Sequence, residues 1–145
     1  MIMRNAVLVL ALVSAGSCAA AGRPIASERR ISAVRSEIDA LFVQWAERDG
    51  ELRFLISDRL AMALIANPTA FVGAMSEHSA VSRDWVQNVG GASLRDHGDL
   101  LLNRQVLRRE MMKALRSATP STPRANELRD ALLRKLEDTP VTVVD

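Results

Sequence analysis

The stretch ISAVRSEIDALFVQW, residues 31–45, carries the period of an amphipathic helix. Ile31, Val34, Ile38, Leu41, Phe42 and Trp45 fall within about 100° on a helical wheel, the width of a core-facing stripe. Ser27 is placed to cap the helix at its start, and Asp49-Gly50 stops it. A second helix is expected over residues 51–66, burying Leu52, Leu55, Ile56, Leu60 and Ala63. Its second half, LAMALIA (60–66), is apolar all round, which predicts the central helix of the fold.

The pattern continues outward with the same logic. Asn67-Pro68 ends the second helix and opens a third, Asn67 as N-cap and Pro68 in the first turn, with Phe71, Val72 and Met75 inward. Ser79 or Ser82 opens a fourth, carrying Val81, Trp85, Val86 and Val89, and Gly90-Gly91 is expected to end it. Residues 94–102, LRDHGDLLL, have no helical period and read as a loop ending in a short extended piece. Asn103 is placed to cap a fifth helix with Val106, Leu107, Met111, Ala114 and Leu115. Residues 117–121 form a linker, and Thr122-Pro123 starts a sixth helix with Leu128, Leu132, Leu133 and Leu136. Pro140 ends helical structure, and VTVV (141–144) reads as an extended tail whose apolar pairing candidate is residues 100–102. The expected fold is all-α: a compact bundle or short array of five to six helices with a short extended C-terminal tail.

The segment LAMALIANPTAFVGAM, residues 60–75, resembles a type seen in small uncharacterised exported bacterial all-helical proteins. The short middle helices resemble armadillo/HEAT-like helix pairs. The resemblance spans about residues 38–90, bears on the fold alone and carries no catalytic motif.

The N-terminus indicates destination. Arg4 precedes an apolar run, AVLVLALVSA (6–15), and a small, uncharged stretch, GSCAAAG (16–22). This is the layout of a bacterial secretory signal, expected to be cleaved after residue 21. A retained membrane anchor or a buried core helix is the alternative reading, but Ser14, Gly16, Ser17 and Gly22 dilute the apolar character. Ala15-Gly16-Ser17-Cys18 also resembles a lipobox, in which Cys18 becomes the lipid-bearing first residue; it departs at Ala15, where a branched aliphatic is usual. The expected organisation is a signal peptide (1–21), a short linker (22–26), one helical domain (27–138) and a tail (139–145). The expected location is exported, periplasmic or secreted, soluble or anchored through Cys18.

Composition narrows the function classes. Cys18 is the sole cysteine of the 145 residues, which excludes an intramolecular disulfide scaffold, zinc–cysteine sites and CxxC redox chemistry. Without the leader, 18 basic residues face 17 acidic ones, and no basic stripe stands out, so nucleic acid is not an expected partner. Lys113 and Lys135 are the only lysines among the 19 basic residues, an arginine bias that GC-rich codon usage explains.

Each site candidate has a bland competitor. Arg59 sits inside the expected apolar stripe of the second helix, so it must be paired or reach water. An internal ion pair is the expected reading; binding of a carboxylate or phosphate in a groove is the other. His78, Asp96, His97 and Asp99 are chemically competent metal ligands, but their spacing matches no ligand motif, so no metal and no cofactor are expected. There is no GxSxG elbow, no phosphate loop at Gly90-Gly91-Ala92-Ser93, and no assignable pair of catalytic carboxylates. Trp45 and Trp85 read as core anchors. The leading expectation is a non-enzymatic envelope protein whose partner is another envelope protein. A periplasmic inhibitor or immunity-type protein is the alternative, followed by a metal-binding protein or enzyme built on the 96–99 loop.

Overall fold

The computed structural model describes residues 26–96 and 101–143. Among them run six helices: α1 (Ala26–Glu47), α2 (Glu51–Ala66), α3 (Pro68–Glu77), α4 (Ser79–Ser93), α5 (Leu101–Ser117) and α6 (Pro123–Asp138). Two short strands, β1 (Arg95–Asp96) and β2 (Thr142–Val143), complete the described chain. The expected signal peptide, Cys18, His97 and Asp99 lie outside the described residues. No helix among the described residues is long and apolar enough to cross a membrane.

The all-α class follows from the periodicity, but the helix at the centre is α3. It packs against all five other helices. Phe71, Val72, Ala74 and Met75 are wholly buried on a helix of only ten residues, while Thr69 and Glu77 remain exposed. The expectation that the second helix is central is corrected accordingly. α2 buries Ile56, Ser57, Leu60, Ala61 and Leu64, whereas Leu52 and Leu55 are 50% and 62% exposed. A run that is apolar all round permits burial on any side; the neighbours decide which sides receive it. α6 returns to pack on α3 and α4, which makes a closed bundle and not an open array of nearest-neighbour pairs.

α1 and α2 form a hairpin across residues 48–50. Gly50 turns it at φ +62°, a conformation that only glycine adopts without strain. On α1, Ile38, Leu41, Phe42 and Trp45 are buried as the stripe requires, but Ile31 is 64% exposed. At 22 residues α1 is roughly 33 Å long against roughly 24 Å for the 16 residues of α2, so its first turns reach past the core.

The core is organised around aromatic rings. Phe42 of α1, Phe71 of α3 and Trp85 of α4 meet with centroids 5.4 to 6.5 Å apart, in the tilted and edge-on arrangements that ring quadrupoles favour. The buried indole of Trp85 donates its Nε1–H to Ser57 Oγ at 2.9 Å, and Ser57 in turn bonds Ser93 Oγ at 2.5 Å. Trp45 donates to the Asp84 carboxylate at 2.8 Å. Arg53 of α2 pairs with the same carboxylate while its guanidinium lies 4.2 Å above the Trp45 ring. One carboxylate thus joins α1, α2 and α4.

Three expected boundaries are corrected. Gly90-Gly91 does not end the fourth helix, which runs on to Ser93. The reason lies in α6: a Cβ on Gly90 would fall 2.6 Å from Thr139 Cγ2, so the glycine admits the end of α6 against α4. The fifth helix starts at Leu101, which places Asn103 inside its first turn instead of at the cap. The tail pairs in parallel with β1, Arg95 opposite Thr142 and Asp96 opposite Val143, and not with residues 100–102. A ladder needs extended backbone, and Leu101 and Leu102 are coiled into the first turn of α5. Arg108 closes the C-terminal end of α6, where the tail begins, its guanidinium donating to the carbonyls of Leu136 (2.6 Å) and Glu137 (3.0 Å).

The adjacent glycines make a paired test. Gly90→Ala drives a methyl group into Thr139 and should destabilise by about 1 to 3 kcal/mol, the overpacking range. Gly91→Ala meets open space within a helix and should stabilise by about 0.5 to 1 kcal/mol. Urea unfolding of both variants reads the opposite signs. By the same measurement Trp45→Ala, at a side chain only 1% exposed, should cost about 3 to 5 kcal/mol.

Candidate functional site

Arg59 is the sequence candidate on which the structure speaks most directly. It is exposed, and among the described residues it takes part in no ion pair. The internal ion pair expected for it is therefore corrected. Of the apolar residues that surround Arg59 in sequence, Ile56 and Leu60 turn into the core while Leu52 and Leu55 lie in water; Arg59 is on the exposed side with the latter, so its guanidinium never has to leave solvent.

What Arg59 does instead is line a groove between α1 and α2 of about 350 Å³. Val34, Glu37, Ile38 and Leu41 form the α1 wall; Arg59, Met62, Ala63 and Ala66 form the α2 wall. A second depression of about 320 Å³ continues it past Val34 and Asn67 to Arg30, Ile31 and Ala70. Met62 is 59% exposed, close to the values for Leu55 and Ile31. Glu37 is also exposed and, like Arg59, has no ion pair among the described residues.

The face has a regular spacing. Leu52, Leu55, Arg59, Met62 and Ala66 succeed one another by three, four, three and four residues, and all five are exposed. A three–four alternation of apolar residues is the seam by which one helix packs along another. Sequence reasoning placed Leu52 and Leu55 in the core and left Met62 and Glu37 unremarked. The three–four spacing was the available signal, masked because the buried positions Ile56, Leu60 and Leu64 form a second apolar stripe on the same helix.

The weak metal candidates are not brought together by anything described. His78 sits between α3 and α4, stacked on Phe42 at 5.7 Å, with its Nε2 3.0 Å from Asp39 Oδ1. Arg35 bonds the same Asp39 oxygen at 3.3 Å and pairs with Glu77 at 2.6 Å. The Arg35 guanidinium thus occupies both carboxylates near His78, and no group of three ligating residues occurs among the described residues. Asp96 lies on β1, but its side chain, His97 and Asp99 fall outside the description. A larger depression between α5 and α6, about 550 Å³, is lined by Arg108, Arg109 and Arg116 with Glu137. Arg108 is spent on helix-end carbonyls and Arg116 pairs with Glu137 at 3.0 Å, so this surface is a braced helix contact.

Arg59→Met tests the placement of the candidate. With no buried partner to strand, the variant should unfold within about 0.5 kcal/mol of the parent in urea, as surface substitutions do; a loss on the order of 3 kcal/mol, the cost of breaking a buried pair, would return Arg59 to the interior. No protein-family model, no curated protein and no solved structure matches this chain, so the functional reading rests on the α1–α2 face itself.

Proposed function

We propose that this chain is an exported, non-enzymatic helical module of the bacterial envelope that binds protein through its α1–α2 face. The observation that carries the reading is the exposed three–four seam of α2, bordered by Ile31 and Val34 of α1. The side chains of Ile31, Leu52, Leu55 and Met62 leave on the order of 400 Å² of apolar surface in water, a size at which patches on soluble proteins mark interaction sites. Export is supported by Arg4, the apolar run 6–15 and the small residues that follow. Lipid attachment at Cys18 would tether the chain to the membrane, with residues 19–25 between the lipid and α1.

A pull-down from envelope extract checks the reading with two baits, the parent and Leu55→Asp/Met62→Asp. Both substitutions are on exposed positions, so both baits should give the same helical circular dichroism and melting temperature within a few degrees. The parent should retain a protein that the double variant loses. Equal capture by the two baits would show that the seam is ordinary surface.

A further inference from the structure

We infer that the α1–α2 face is self-complementary and that its occupant is a second copy of this chain. The inference rests on the reading of this face as a protein-docking surface and names the partner. Two unpaired charges of opposite sign share the groove, Arg59 on the α2 wall and Glu37 on the α1 wall. Neither has an ion pair among the described residues. With a two-fold axis passing between them, Arg59 of one copy faces Glu37 of the next, and Glu37 faces Arg59 in return. That reciprocity is the defining property of an isologous contact. Any other partner would need both an acidic and a basic residue at the matching places, and a second copy of this chain brings both.

The apolar part of the face obeys the same symmetry. Leu55 precedes Arg59 by four residues and Met62 follows it by three, so the charge interrupts the seam near its middle. A single charged residue at a seam position sets register and partner at some cost in affinity. The exposed apolar area is about half of the roughly 800 Å² per partner typical of a stable complex. The dimer is accordingly weak and concentration-dependent, with the two charge pairs choosing its register.

The test uses the chain as its producing cell leaves it, purified and followed by sedimentation equilibrium over rising concentration. The parent should show a monomer–dimer equilibrium. Arg59→Glu and Glu37→Arg each place like charges against each other on both sides of the axis, and each should raise the dissociation constant at least about tenfold. An equimolar mixture of those two variants should dimerise again, because every Arg59–Glu37 contact becomes opposite in sign in the mixed pair. Rescue in the mixture is the outcome that a general effect of charge cannot produce. A parent that stays monomeric up to about 1 mM, the weak end of the affinity scale, overturns the second-copy assignment, as does a mixture that fails to pair. If that monomer still loses a captured envelope protein in Leu55→Asp/Met62→Asp, the docking surface stands with a different partner. Equal capture by both baits removes the docking surface as well.

Discussion

The Trp85 indole is where the bundle is joined. Its ring meets Phe42 of α1 and Phe71 of α3, and its N–H reaches Ser57 of α2, so one side chain of α4 touches three other helices. A buried indole cannot leave its donor unpaired without a cost of about 1 to 3 kcal/mol. Ser57 meets that need, and its own hydroxyl is held by Ser93 from the far end of α4. The three groups form a closed polar chain inside an otherwise apolar core, which orients α2 about its axis. If α2 were rotated by a quarter turn, Ser57 would leave the indole and Ile56 or Asp58 would take its place.

That orientation has a consequence on the opposite side. With Ser57, Ile56, Leu60 and Leu64 turned inward, Leu52, Leu55, Arg59 and Met62 must point outward. A helix carrying two apolar stripes can bury only one of them in a bundle where α1, α3, α4 and α5 already crowd its inner side. The exposed seam is thus the complement of the Trp85–Ser57 bond. The Asp84 clamp reinforces the same geometry from the α1 side, drawing Trp45 and Arg53 to one carboxylate. Being partly exposed, that clamp contributes less through charge than through the packing of the indole and guanidinium.

Arginine serves mainly as structural cement elsewhere. Arg104 spans from α5 to Asp58 of α2 (2.6 Å) and to the Ser93 carbonyl (3.1 Å), and Arg108 seals the last carbonyls of α6. The planar, multi-donor guanidinium suits carbonyl ends and carboxylates together, which an ammonium group would not do as well. Against that background an arginine with no bonded partner, in a groove, on an apolar seam, is distinguished by its surroundings and not by its residue type.

The sequence by itself determined the helices and most of their inner faces. The 3.6-residue period placed Ile38, Phe42, Trp45, Phe71, Met75, Trp85, Leu128, Leu132 and Leu136 inward, and the cap–proline pairs placed the starts of α3 and α6. Those are local effects, decided by neighbours within a turn or two. Tertiary structure alone decided which helix is central, which of the two stripes of α2 is buried, and where the tail pairs. Helix ends at Gly90-Gly91 also lay beyond local reasoning, since Gly90 answers to Thr139, a contact 49 residues away along the chain. The same holds for Arg59: its sequence neighbours are apolar whether they face the core or the solvent, and only the packing of α2 against its neighbours through Ser57 and Trp85 turns that face into water.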